Sequence, residues 1–484
     1  MSRKSIKKNY IYNVTYQILL LLTPLITTPY VSRILGADGV GTYSFTNSIT
    51  QYFVLFATMG ISTFGQREIS YCQDDRHKRS VVFWETKLLS LLSTAICLLI
   101  YIAFIFIQSE NKTIYLILGI SVVSVAFDVT WFFQGMEEFK KIVIRNTIIK
   151  VIDVAFIFLF VKQKSDLPIY VFGVVFFLFL GNISLWGYLP RYIEKPDIKS
   201  LRPLRNLKVV WSLFIPTIAI QIYTVLDKTM IGLFVEGSFE NGYYEQAMKI
   251  SKMALTLITA LGSVMIPRIG YHFERGDTEE IRSYMYRGYN FVWFLGIPLC
   301  IGLVGISENF VPWFFGPGYE RVADLLKLSS FLILAIGINN VTGMQYLIPT
   351  KRQNMFTLTV VIGACVNFVL NLILIHFYQS FGAVIASVIA ETVIALVQLY
   401  IVRDELKFSY ILKLGWKNAI AGIAMGGYLI VVSRYMPPRV MSTVVLIGTG
   451  AIIYMLFLLV LRDRFLIENA ERTLKKITSK FGRG

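Results

Sequence analysis

The sequence predicts an all-α integral membrane protein with 14 transmembrane helices, arranged as two pseudo-symmetric six-helix lobes plus a C-terminal helix pair. Three observations lead there. The 484 residues are 55% hydrophobic, 14% aromatic and only 16% charged, whereas a soluble chain of this length carries about a quarter charged residues. Apolar stretches of about 20 residues, the length a helix needs to cross the ~30 Å hydrocarbon layer, recur from one end of the chain to the other. The first part of the chain also matches its middle under a fixed shift.

The apolar segments lie near 10–32, 42–64, 84–107, 114–136, 142–161 and 168–190, then 209–234, 243–267, 290–312, 323–348, 355–376, 382–402, 416–434 and 440–461. Several contain Pro or Gly (Pro24, Pro216, Gly262, Gly337), which bundled membrane helices tolerate. The opening "MSRKSIKKN" leads into an apolar run longer than a signal-peptide core and without a small-residue cleavage site, so an uncleaved first span is expected.

Charge sets the expected orientation. With residue 1 in the cytoplasm, the cytoplasmic segments hold 34 Lys and Arg residues and the opposite side holds 7. That bias predicts a multi-pass protein with both termini cytoplasmic, and it explains the net charge of +17 without nucleic acid. The seven Trp residues fall near span ends, as an interfacial belt requires.

Several function classes are excluded or unsupported. Cys72, Cys97, Cys300 and Cys365 stand singly, so no disulfide framework or zinc knuckle is indicated. His77, His272 and His376 lack metal-ligand spacing, no phosphate-binding G-x-x-x-x-G-K-[ST] occurs, and no nucleophile–base constellation is visible. The loops are too short to fold as catalytic domains. The chain does not read as an enzyme, and no catalytic residue, metal ligand or cofactor is nominated.

Shifting the sequence by 201 residues places "GADGVGTY" (36–43) on "GSFENGYY" (237–244), matching Gly36/Gly237, Gly41/Gly242 and Tyr43/Tyr244. Thr23/Thr224, Ser62/Ser263 and Arg67/Arg268 also coincide, and spans 1 and 2 land on spans 7 and 8. The lobes then comprise 1–201 (spans 1–6) and 202–403 (spans 7–12), followed by 404–484 with spans 13 and 14 and a cytoplasmic tail. Such repeats mark alternating-access transporters, which hold cargo at the repeat interface; a recurrent hairpin-turn motif is the plainer explanation.

Ionisable residues stand inside the spans, where a charge costs roughly 2.5–3.5 kcal/mol by insertion scales. Spans 7 and 8 form a hairpin turning near 239, so Asp227 is expected at the depth of Lys252, and Lys228 at that of Lys249. Glu245, Lys249 and Lys252 share one helix face, as do Gln221, Thr224 and Lys228. Spans 4 and 5 repeat the pattern: Asp128 is expected level with Lys150, with Asp153 one turn beyond. Asn340, Asn367, Asn371 and Glu391 add polarity to spans 10–12. The plain reading is helix-packing ion pairs and snorkelling lysines; the functional one is a water-filled, lysine-rich cavity. Arg67 and Arg268, superposed by the shift, are expected at a gate or cytoplasmic mouth.

The runs "DVTWFFQGMEEFKKIVIRN" (128–146), "LDKTMIGLF…NGYYEQAMKI" (226–250) and the "MIPRI" closing span 8 resemble the bacterial polysaccharide repeat-unit flippases. These are the polysaccharide transporters of the multidrug/oligosaccharidyl-lipid/polysaccharide exporter superfamily. The resemblance implies a V-shaped bundle in the bacterial cytoplasmic membrane, carrying undecaprenyl-diphosphate-linked oligosaccharides to the outer leaflet for capsule, exopolysaccharide or O-antigen synthesis. It implies a cationic interior, and as partners the lipid-linked cargo, membrane lipids, and glycan polymerase and chain-length machinery. Lysines would pair with the diphosphate or acidic sugars while Asp227 and Asp128 hold them between cargoes. Proton or sodium coupling through Asp128, Asp153, Asp227 or Glu391 is one energy source; downhill removal of cargo by polymerisation is another. Three alternatives stay open: a cation-coupled multidrug exporter, a peptidoglycan-precursor flippase, and a membrane polymerase or ligase acting on lipid-linked glycan.

Overall fold

A computed structural model describes residues 6–195, 199, 201–469 and 471, and all regular structure among them is helical. Helix underlies each of the apolar segments, and nine helices among the described residues are long and apolar enough to cross a bilayer. The chain is a multi-pass all-α membrane protein. It divides into two compact units, Met1–Gly242 and Tyr243–Gly484.

In the first unit, helix α1 (Ile6–Thr58) runs through the first expected span and most of the second. It breaks at Gly36, whose φ of 69° and ψ of 174° fall where essentially only glycine is found. Met59 and Gly60, both at positive φ, turn the chain into α2 (Ile61–Tyr71). Next come α3 (Arg76–Ile107), capped by Asp75 through the Lys78 amide, α4 (Lys112–Val125) and α5 (Thr130–Gly135). Then α6 (Phe139–Phe160), α7 (Leu167–Ser184) and α8 (Leu207–Phe234) follow.

The Trp-Phe-Phe-Gln-Gly stretch is the packing hub of this unit. Trp131, Phe132 and Phe133 are buried among Ile69, Phe83, Leu185 and Leu189. Gly65 of α2 lies flush on the Trp131 ring, and Gly135 lies against the Gln66 carbonyl and Ile69. Trp131 is therefore a core residue, not part of an interfacial belt. Helix α3 also ties down the segment that leads to α8. Arg79 donates to the Tyr192 carbonyl, and the Trp84 indole to the Glu194 carbonyl. The buried Glu85 carboxylate accepts from the Arg202 amide at 3.0 Å and the Arg205 guanidinium at 2.9 Å.

Helix α9 (Phe239–Thr259) enters the second unit and is followed, after a break at Ala260–Leu261, by α10 (Gly262–Glu274). The unit continues with α11 (Thr278–Phe315), α12 (Glu320–Ser329) and α13 (Phe331–Asn339). A π-helical stretch, Asn340–Leu347, extends α13. Helices α14 (Gln353–Tyr378), α15 (Ser380–Ile401), α16 (Phe408–Ser433) and α17 (Val440–Val460) complete it. The C-terminal pair packs on α11 through small residues: Gly415 meets Trp293, Gly422 meets Ile297 and Gly305 meets Leu429. The Tyr454 hydroxyl bridges this seam, reaching the Asn418 side chain at 2.7 Å and the Phe294 carbonyl at 2.9 Å.

Candidate functional site

Asp128 sits in the break between α4 and α5, where the chain leaves helical geometry. It edges a cavity of about 220 Å³ whose other polar walls include Gln51, Thr58, Ser90, Ser124 and Asn182. Its Oδ1 accepts the backbone amide of Thr130, the first residue of α5, at 2.8 Å. Its backbone carbonyl accepts the Lys87 ammonium at 3.3 Å and the Trp131 indole at 3.2 Å. Lys87 of α3 is fully buried, its ammonium 5.2 Å from the centre of the Trp186 ring, and the Asp128 carboxylate acts on it electrostatically. Arg145 of α6 donates to Thr130 at 3.1 Å and Asn182 at 3.3 Å, and Asn182 donates to Ser124 at 2.9 Å. The cavity thus has one carboxylate on its wall and two cations close behind.

The expected Asp128–Lys150 partnership is replaced by another. Lys150 pairs with Asp153, one turn on in α6, at 2.8 Å. Asp153 is buried, and its Oδ1 has no hydrogen-bond partner among the described residues. Lys87 and Arg145 are the cations that sequence reasoning passed over. Lys87 has a signal, a lone lysine inside the 84–107 apolar segment, whereas Arg145, near the start of the 142–161 segment, reads as part of the basic loop that holds Lys140 and Lys141.

On α8, Asp227 is buried, Lys228 half-buried and Gln221 exposed. Thr224 donates to the Gln221 carbonyl at 2.8 Å. One turn's width away, Thr229 meets Ser48 at 2.9 Å and the Tyr52 hydroxyl at 3.2 Å, both on α1. Asp227 lies within electrostatic range of the same Tyr52 hydroxyl. In the second unit, Glu245 and Lys249 are half-buried and Lys252 is exposed, while Ala247, Met248, Ile250 and Ser251 of α9 are buried. The charged stripe on α9 is therefore the side turned away from that unit's core.

The two superposed arginines differ. Arg67 is engaged by its neighbour Glu68 through Nε at 3.1 Å and Nη2 at 2.9 Å. Arg268 on α10 is exposed and stacks 5.9 Å from the Tyr284 ring centre, with Arg287 of α11 at 6.0 Å from the same ring. Among the described residues neither Arg268 nor Arg287 has a carboxylate partner. The polar residues of spans 10–12 form buried seams: Asn339 donates to Glu391, Asn340 accepts from Gln345, and Asn367 pairs with Asn371 and Ser387.

Beyond the helix ends, Arg352 grips Glu405 with both terminal nitrogens at 2.6 and 2.8 Å, and the Tyr346 hydroxyl donates to the same carboxylate. Burial raises the Glu405 carboxyl pKa, but the Arg352 and Tyr346 bonds outweigh it and hold the group below its ordinary value. No cluster of three or more His, Cys, Asp or Glu suited to a metal occurs among the described residues.

The sequence profile of the polysaccharide biosynthesis protein family matches residues 6–272, more than half of the chain. The chain belongs to that family. A second profile, that of the lipid II flippase MurJ, matches residues 151–450. Among curated relatives, the "Putative O-antigen transporter" of Shigella dysenteriae is 25% identical over 393 residues, covering 79% of this chain and 96% of its own. The protein of the same name in Escherichia coli K12 is 24% identical over 418 residues, covering 84% and 98%. Among solved structures, lipid II flippase MurJ in its inward closed conformation superposes with a TM-score of 0.73 at 15% identity, covering 94% of this chain and 99% of that one. An inward-facing multidrug resistance MATE family transporter gives 0.63 at 12% identity, covering 81% and 95%. At those identities the likeness is one of fold alone.

Proposed function

We propose that the chain is a flippase that moves undecaprenyl-diphosphate-linked oligosaccharide repeat units from the inner to the outer leaflet of the cytoplasmic membrane, by alternating access through a cationic cavity. The observation that carries this reading is the retention of Asp227, Lys228, Glu245, Lys249 and Lys252 within helices that otherwise read as membrane spans. Ionisable groups at that depth usually face a bundle interior or water-filled path. A diphosphate and its sugar hydroxyls cannot enter hydrocarbon without partners. Lysine supplies a mobile point charge with three donors, suited to a head group that must be bound and then released. Asp227 and Asp128 offer a counter-charge while no cargo is present, because a buried ion left alone is costly. The match to nearly the full length of two relatives named for O-antigen transport supports the same cargo class.

Arg268 and Arg287, side by side on Tyr284, suit first capture of a phosphate anion at the basic end of the bundle. An apolar hollow of about 330 Å³, lined by Pro298, Leu303, Met425, Ile447 and Tyr454 among others, has the chemistry to shelter part of an isoprenoid tail. Asp128, set on a polar cavity, is the group best placed to exchange a proton or sodium ion with the cycle.

The MurJ profile over 151–450 favours a second reading, transport of a peptidoglycan precursor. Expression in two strains separates the two. Rescue of surface polysaccharide in a strain lacking its repeat-unit flippase, without rescue of a strain depleted of its peptidoglycan-precursor flippase, is the expected result. Rescue of only the second strain would reverse the assignment of cargo.

A further inference from the structure

The segment between α7 and α8 is laid along the first turns of α3. Arg76 donates to the carbonyls of Pro190 at 3.3 Å and Ile193 at 3.4 Å. Arg79 donates to the Tyr192 carbonyl at 3.1 and 2.6 Å. The Ser80 hydroxyl accepts the Glu194 amide at 2.8 Å, and the Trp84 indole donates to the Glu194 carbonyl at 3.0 Å. Glu85 closes the row, accepting the Arg202 amide and the Arg205 guanidinium. On the side of the connecting segment these bonds are made by backbone groups, Arg205 excepted. They fix the path of the segment up to the point where α8 begins at Leu207.

Glu85 is the unusual member of the row. It is 3% exposed, on a helix that reads as a membrane span, and Arg205 comes to it from a largely water-exposed position. Desolvation of a buried ion pair offsets most of its attraction, so such pairs add little stability and are best attested as devices that fix register. Register is what the other contacts at this end of α8 leave open. Leu207 and Val210 pack among Ile61, Phe64 and Leu89, apolar surfaces with no directional bond. Gly60, at a φ of 70°, sets its bare Cα against the Phe214 backbone and the Val210 carbonyl, which allows a close approach without holding α8 at one height.

Height matters further along the same helix, because α8 carries Gln221, Asp227 and Lys228. A slip of one residue moves these groups by about 1.5 Å and turns them by about 100°, enough to take Asp227 out of its buried place. We propose that Glu85 is a positioning residue for transport: by holding Arg202 and Arg205 it sets the register of α8 on the first unit, and hence where Asp227 and Lys228 stand. This rests on the flippase reading above, which gives those charges their use.

The test places one reporter cysteine on α8 by Lys228→Cys and another at the exposed end of α2 by Ser70→Cys, each in a Cys365→Ser protein, since Cys365 is the exposed native cysteine and the other three are buried. Rates of reaction with a charged methanethiosulfonate reagent are compared with and without Glu85→Gln. Flipping of a fluorescent polyprenyl-diphosphate oligosaccharide is measured in vesicles with Lys228 intact. Glu85→Gln is expected to change the rate at position 228 severalfold, to leave that at position 70 unchanged, and to slow flipping severalfold. Arg205→Gln, at a side chain in water, is expected to do the same should Glu85→Gln not fold, and Arg205→Lys to restore both readouts. An unchanged rate at position 228 in the folded variants would overturn the proposal, as would equal changes at both reporters or flipping at the wild-type rate. If the wild type does not flip this lipid while the rate at position 228 still shifts, the flippase reading fails and the placement of α8 by Glu85 stands.

Discussion

Lys87 and Asp128 show most clearly what a buried charge requires. Lys87 is fully enclosed, with the Asp128 carbonyl, its carboxylate field and the Trp186 ring as its surroundings. Removing the partner leaves an uncompensated buried ammonium, whereas removing the ammonium leaves a half-buried carboxylate that water can reach. Asp128→Asn is expected to lower stability by about 2 kcal/mol, below the 3–5 kcal/mol of a fully buried broken pair. Lys87→Met, similar in volume, is expected to be near neutral, and the double variant to recover most of the loss. Thermal unfolding in detergent reads all three; strictly additive losses would contradict the coupling. The sequence could place Asp128 inside a span but not choose its partner. Depth matching assumed straight helices, and the break between Val125 and Thr130 shifts Asp128 toward Lys87 and leaves Lys150 to Asp153.

Helix positions were legible from the length of the apolar stretches because a bilayer imposes length and composition on every span. Their interruptions were not. The breaks at Met59–Gly60 and Ala260–Leu261, and the π-helical stretch at Asn340–Leu347, depend on what packs beside them, whereas the one at Gly36 falls in the gap between the first two expected spans. Freed backbone groups inside a membrane protein are tolerated only where neighbours satisfy them. The α2–α5 seam makes this testable. A methyl at Gly65 would press into the Trp131 ring, so Gly65→Ala is expected to cost about 1–3 kcal/mol by overpacking; Gly427→Ala, where a methyl would meet nothing within 4 Å, serves as the control. A melting temperature unchanged by Gly65→Ala would argue against this packing. The Arg352–Glu405 clamp has a pH signature. Because the folded-state pKa of Glu405 is lowered, its contribution is present above the unfolded value of about 4.3 and is lost as pH falls further, through the folded value. Glu405→Gln is expected to cost about 1 kcal/mol at neutral pH, the pair being partly exposed. Its stability should also fall less than that of wild type as pH drops below about 4.3. Parallel acid profiles would contradict this.

At the scale of the whole molecule, fold and family follow from composition, spacing and a few motif residues. The Trp-Phe-Phe-Gln-Gly run is structural, a buried hub where α2, α3 and α5 meet. The charged residues of α8 and α9 carry the proposed chemistry, and their presence was legible because charge is rare inside apolar windows. Their separate roles were not, since sequence order says nothing of which ions share one aqueous space. The measurement that bears most directly on the cationic pathway is flipping of a fluorescent polyprenyl-diphosphate oligosaccharide in vesicles by a folded K228Q/K249Q/K252Q variant. Loss of transport with an unchanged melting temperature is the predicted result. Transport at the wild-type rate would show that these lysines do not carry the head group across.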